Sequence, residues 1–243
     1  MYLREKLAIT TTCFYILLMA IGMLTLSTLG ISYTSPTMVT VLIYFEIVLT
    51  LLSFIIYKKL NLNIFKTKIN LSKWFWPFIA VIILCLVSLL FTSNTYENFR
   101  LVILILMTTA LVGFSEELMF RGVLLKVLLE KRNIKLAIFF SSFAFSLLHS
   151  VNYLGGLSLI GTLGQVLVTF ITGVIFSCLF LLMNNIIPLI VYHFIWDFVS
   201  IAGNVMNANV NWVFSIGFVI QVIIIIPLLL HTIKTQKFNV MHE

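Results

Sequence analysis

"LVILILMTTALVGFSEELMFRG", residues 101–122, runs from a long apolar stretch straight into two adjacent glutamates, Glu116 and Glu117, with Arg121 four positions after the second. The chain around it has 243 residues, of which 61% are hydrophobic and 9% charged, with a mean hydropathy of +1.15. A soluble domain is about 45–50% apolar, so the solvent for this stretch is a bilayer and its three charges stand inside hydrocarbon. Lipid offers the backbone no hydrogen bonds, which leaves helices and closed barrels as the spanning structures. Barrel strands alternate in polarity and these runs do not. The expected fold class is therefore all-α, a polytopic membrane protein.

Apolar windows long enough to cross the membrane fall at 8–32, 37–57, 74–92, 101–129, 136–153, 158–183, 186–203 and 212–230. Basic residues sit almost wholly on alternate sides of these eight spans: Arg4 and Lys6; Lys58, Lys59, Lys66, Lys68 and Lys73; Lys131, Arg132 and Lys135; Lys234 and Lys237. The opposite connections carry Arg100 alone. By the positive-inside rule both termini face the cytoplasm, as an even number of spans requires. The first span is long and has no convincing small-residue cleavage site, so it reads as retained rather than as a signal peptide. The net charge of +7 lies in the basic loops, where it acts as a topology signal and attracts anionic lipid; nucleic acid is not an expected partner. Cys13, Cys85 and Cys178 lie within spans at unrelated spacings and imply neither a disulfide framework nor a cysteine metal motif.

Seven ionisable residues remain inside the spans: Glu46, Glu116, Glu117, Arg121, His149, His193 and Asp197. Such groups cost several kcal/mol in hydrocarbon, by insertion scales ~2.5–3.5 kcal/mol for Asp or Arg at a helix centre, and they face bundle interiors or wet cavities. At ~1.5 Å per residue, Glu116, His149, Asp197 and His193 lie ~21, ~20, ~16 and ~10 Å from the cytoplasmic ends of their spans, one layer near the middle of the membrane. Glu117 and Arg121, at i and i+4, share a helix face in the favourable acid-first order. Arg121 is thus expected to neutralise Glu117 and leave Glu116 free to face a cavity. His193 and Asp197 are likewise at i and i+4, and Phe145 stands one turn before His149, where its ring can pack on the imidazole. Glu46 reads as an isolated local hydrogen-bonding partner, and His231 and His242 read as part of a solvated tail. Glycines 113, 122, 161, 164 and 173, with Thr162, Gln165, Thr169 and Thr172, suit helix packing or a polar cavity wall.

From clustering alone, catalysis, a proton relay in a transporter and a helix-bridging network all remain open. Glu116, His149 and His193 also have the ligand chemistry of a zinc site, although HExxH is missing. Ser115 lacks the second glycine of a GxSxG elbow, and Asp197 is the sole aspartate, which rules out an aspartyl dyad.

Three motifs carry a resemblance: "EELMFR" (116–121) fits EExxxR, "FSLLH" (145–149) fits FxxxH, and "HFIWD" (193–197) fits HxxxN/D. In this order, on hydrophobic helices, they resemble the CPBP intramembrane glutamic endopeptidases, the family of the Rce1-like CAAX proteases and many bacterial Abi proteins. The likeness covers residues 100–203 as a catalytic helical core, flanked by N-terminal helices and the basic loop at 1–99 and by the last helix and tail at 204–243. It implies a peptide hydrolase without metal or other cofactor, with catalytic Glu116, His149, His193 and Asp197 and supporting Glu117, Arg121 and Phe145. Glu116 would activate water with His149 as partner, and His193 would polarise the scissile carbonyl. The eukaryotic enzymes have asparagine where this chain has Asp197; an ionised carboxylate cannot donate to an oxyanion, so Asp197 is expected to orient His193 instead. The Ile-, Lys- and Asn-rich composition points to an AT-rich genome, and the absence of organellar signals to a bacterial inner membrane. The resemblance then implies a hydrophobic peptide or membrane-protein segment as substrate, in peptide or bacteriocin maturation or self-immunity, and not a prenylated CAAX protein.

Overall fold

The computed structural model describes residues 3–65, 69, 71–90 and 98–241, the last five by backbone alone. Lys66, Lys68 and His242 lie outside the described residues, as does the side chain of Lys237. Among the described residues the chain is all-helical. Eight helices are long and apolar enough to cross a bilayer: α1 (Leu3–Thr28), α2 (Pro36–Lys59), α3 (Lys73–Leu90), α4 (Phe99–Leu129), α5 (Ile134–Gly155), α6 (Leu159–Met183), α7 (Ile187–Val205) and α8 (Asn211–Gln236). These agree with the expected spans to within a few residues at most ends. The exceptions are α1, which starts five residues earlier, and α8, which continues past Pro227 and beyond residue 230.

Side chains that satisfy otherwise orphaned backbone groups set several of the ends. The Asn98 and Asn133 side chains accept from the backbone N–H groups of Leu101 and Leu136, and Ser158 accepts from Gly161. At the other end of α6, Asn184 takes a left-handed conformation (φ 50°), and its N–H caps the Phe180 carbonyl. Asparagine tolerates that region better than most residues, and the turn passes directly into α7, whose first residues include Pro188.

In space the neighbouring pairs are α1/α2, α2/α4, α4/α7, α7/α3, α3/α8, α8/α6, α6/α5 and α5/α1, so the eight helices close a ring. Outer faces carry exposed Phe14, Leu17, Ile21, Ile83, Leu163 and Ile223, as lipid contact requires. The interior of the ring is neither empty nor wholly apolar. After Glu117, α4 widens into a π-helical stretch, Leu118–Leu125, in which every residue is buried. This stretch packs against α1, α2, α5 and α6 and so crosses the ring at its basic end. Such π turns recur at functional sites. Their presence means that strictly α-helical spacing does not hold beyond Glu117.

Two glycines mark where helices approach most closely. A Cβ on Gly113 would lie 2.8 Å from the Phe194 nitrogen and 3.1 Å from the Ile190 oxygen, so only glycine lets α4 meet the backbone of α7 there. Gly173 faces Ser142 in the same way across the α5/α6 contact, at 3.0 Å. By contrast, Gly164 has nothing within 4 Å, which makes it a plain lipid-side glycine and not a packing device. His231 is no solvated tail residue: its ring lies 5.7 Å from that of Trp74, inside α8, because α8 is longer than expected. Gly113→Ala should therefore push α4 away from α7 and lower stability by about 1–3 kcal/mol, the usual cost of overpacking. Gly164→Ala should leave the thermal midpoint unchanged or slightly raised. Thermal unfolding of the two variants in one detergent checks the contrast.

Candidate active site

Inside the ring, α4, α5 and α7 bring the expected residues together. Glu117 and Arg121 meet at 2.6 Å through Oε1 and Nη1, both with no exposed side-chain surface. The same Glu117 oxygen lies 2.9 Å from Nδ1 of His193. Glu117 thus carries two partners on two helices, which spacing along α4 alone did not indicate. Nε2 of His193 lies 3.8 Å from Oε2 of Glu116 and 3.4 Å from Oδ2 of Asp197. Nε2 of His149 lies 3.9 Å from the same Glu116 oxygen. The adjacent glutamates therefore address opposite edges of one imidazole, Glu117 at Nδ1 and Glu116 at Nε2.

Their environments differ in a way that separates their roles. With Arg121 beside it, Glu117 is a charged acceptor, and Nδ1–H of His193 is placed to donate to it; this fixes the ring and leaves Nε2 facing Glu116. Oε2 of Glu116 and Nε2 of His149 are buried without a hydrogen-bond partner. Both residues line a cavity of about 490 Å³, a volume in the range of small-molecule sites. Asp197, Phe145 and His193 line the same cavity.

Phe145 does more than restrict His149. Its ring meets His149 edge-on at 5.0 Å and His193 at 6.1 Å, while the Arg121 guanidinium sits 4.0 Å over its centroid. Phe176 of α6 is 5.3 Å from the same cation and 6.3 Å from His193. Arg121 makes one hydrogen bond, to Glu117, and its Nε and Nη2 have none. The two aromatic faces supply the remaining stabilisation, since a desolvated cation–π contact is worth ~2 kcal/mol or more.

Glu46 is the residue that the sequence reading placed wrongly in space. It is fully buried, lines the same cavity, and accepts from Ser115 Oγ at 3.1 Å. Ser115 in turn is 2.8 Å from the Tyr15 hydroxyl. Glu46 is thus a local hydrogen-bonding partner, as expected, but it is not isolated. Its depth was the available signal: thirteen residues before Lys59, or ~20 Å of helix, it stands in the layer of the others. Of the candidate polar wall, Gln165, Thr169 and Thr172 line the cavity and Thr162 does not. Among the described residues no group of three His, Cys, Asp or Glu is arranged to hold a metal ion.

A ring of eight apolar helices around a buried carboxylate–imidazole centre defines a multi-pass membrane protein with a polar site in its interior. Residues 98–199, which contain all three motifs, match the family model for type II CAAX prenyl endopeptidase Rce1-like proteins. No curated protein and no solved structure matches the chain. The family implies a protease, a peptide hydrolase working in the membrane on a membrane-associated substrate.

Removing one partner of a buried ion pair costs about 3–5 kcal/mol, because the other charge is stranded. Glu117→Gln should therefore lose stability on that scale, and Glu117→Gln with Arg121→Met should recover much of it. Glu116→Gln, which strands no cation, should unfold at the temperature of the unaltered protein. Thermal melts of the four proteins check the division.

Proposed function

We propose that this cluster is the catalytic centre of an intramembrane glutamic endopeptidase. The observation that carries the reading is Oε2 of Glu116, buried without a hydrogen-bond partner at the bottom of the cavity, between the Nε2 atoms of His149 and His193. In this reading Glu116 removes a proton from water, and the hydroxide adds to the scissile carbonyl carbon. His149, with its proton on Nε2, and His193, as the imidazolium held between Glu117 and Asp197, donate from Nε2 to the resulting oxyanion. On collapse, the protonated Glu116 returns the proton to the leaving amine, giving a carboxylate and an amine terminus. Glu117 and Arg121 are positioning residues that hold His193 through Nδ1. Asp197, 3.4 Å from Nε2 of His193, steadies that ring from the cavity side.

The basic loops support a chain with both termini in the cytoplasm, and the AT-rich-genome composition fits a bacterial inner membrane. The substrate in this reading is a hydrophobic peptide or membrane-protein segment, cut in peptide or bacteriocin maturation or in self-immunity; the resemblance to bacterial family members supports it.

Glu116→Gln keeps the size and loses the base, so turnover should fall by ~10²-fold or more, the contribution of a general base, with insertion and melting temperature unchanged. Near-normal turnover by purified Glu116→Gln protein would overturn the assignment. Thoroughly chelated protein should still cleave, whereas activity lost on chelation and restored by zinc would make the site a metalloprotease. Asp197→Asn should retain measurable turnover and Asp197→Ala much less; equal activity in both would leave Asp197 without a part in positioning His193.

A further inference from the structure

The cavity is not placed symmetrically in the membrane. In every helix of the core its lining stops at one level: at Met19 of α1, Glu46 of α2, Glu116 of α4, Phe145 of α5, Phe176 of α6 and Tyr192 of α7. Among the described residues, none that lines the cavity lies on the basic-loop side of these positions. On the other side the lining continues to Thr34 and Ser35 in the α1–α2 connection, Asn152 at the end of α5 and Asn204 at the end of α7. Asn204 and His193 are eleven residues apart on α7, so the shaft from rim to imidazole is ~16 Å long.

The basic-loop end is closed by packing. The wholly buried stretch Leu118–Leu125 crosses there, and Gly122 admits the Ile64 side chain so closely that an added Cβ would lie 2.6 Å from its tip. Ile64 and Ile186 are fully buried against it. Side-chain exposure rises away from this floor: 0% for Glu117, 3% for Glu116, 9% for His193, 16% for His149 and 28% for Asp197.

Among the described residues, the lining at the rim is largely polar and includes no charged side chain. Tyr33 N–H donates to the Gly155 carbonyl at 2.8 Å, Gln165 Nε2 to the Tyr33 hydroxyl at 3.1 Å, and Asn152 Nδ2 to Gln165 Oε1 at 2.9 Å. Amides and hydroxyls of this kind match the donors and acceptors of a peptide backbone.

Lys58, Lys59, Lys131 and Lys135 all stand at the closed end, and the positive-inside rule puts that end in the cytoplasm. We infer that the site is loaded from the extracytoplasmic face, so that its substrate is an uncharged or apolar peptide segment presented outside the cytoplasm and not a cytoplasmic tail. The inference rests on the proteolytic reading for the nature of the substrate; the access route stands on geometry and charge alone.

Three variants, each with one introduced cysteine, test it: Asn204→Cys at the rim, Ser200→Cys one turn deeper, and Lys59→Cys on the basic face. Each is made with Cys13→Ser, because Cys85 and Cys178 are buried and Cys13 is exposed. Right-side-out and inverted membrane vesicles are treated with a charged, membrane-impermeant thiol reagent. Asn204→Cys and Ser200→Cys should label in right-side-out vesicles and lose that labelling in inverted ones, with Lys59→Cys showing the reverse. Labelling of Ser200→Cys from the Lys59 side, or from neither side, would overturn the inference. The Glu116→Gln form is labelled in parallel. Labelling needs no turnover, so a protein that never cleaves leaves the access result standing, and wrong-side labelling of a protein that does cleave refutes the access route alone.

Discussion

The ion pair between Glu117 and Arg121, closed at 2.6 Å and shut off from solvent, is the contact on which the rest of the centre depends. An unpaired guanidinium has no tolerable place in hydrocarbon. Pairing it within one helix lets α4 carry the charge across the ring while Phe145 and Phe176 close over its faces. The second use of Glu117 is structural in a wider sense. By accepting from Nδ1 of His193 at 2.9 Å it ties α7 to α4, at a level one helical turn below the close approach that Gly113 permits. Deep packing and polar pairing thus act on the same two helices.

That arrangement explains why two glutamates stand side by side. One carboxylate is consumed by structure, with a cation and an imidazole as partners. The other, Glu116, is the one of the two that lines the cavity. The π-helical widening after Glu117 adds a third element, because it fills the floor of the ring just beneath the pair and separates the polar centre from the basic face.

Much of this was legible in the sequence, and what was missed has a common cause. Span number, the 117–121 pair, the contact of Phe145 with His149 and the 193–197 stripe are all local, set by hydropathy windows or by spacing of three to four residues on one helix. The bond of Glu117 to His193 joins residues 76 apart, and that of Ser115 to Glu46 joins residues 69 apart. No periodicity encodes such meetings. Phe176 looked like any apolar residue of α6 until α5 and α6 were seen to enclose Arg121 from two sides. The one missed residue that did carry a signal was Glu46, whose depth matched the cluster although no motif included it. The floor could not be foreseen either, because a π turn follows from the packing of neighbours and not from its own composition.

The central claim is that Glu116 activates water for peptide cleavage within the membrane. It is tested most directly by mapping new peptide termini in the membrane and secreted fractions of cells carrying either the unaltered protein or Glu116→Gln at equal levels. The account predicts a small set of termini, in or beside apolar segments, that are present with the unaltered protein and absent with the variant. Identical sets of termini from the two, with both proteins folded in the membrane, would contradict it.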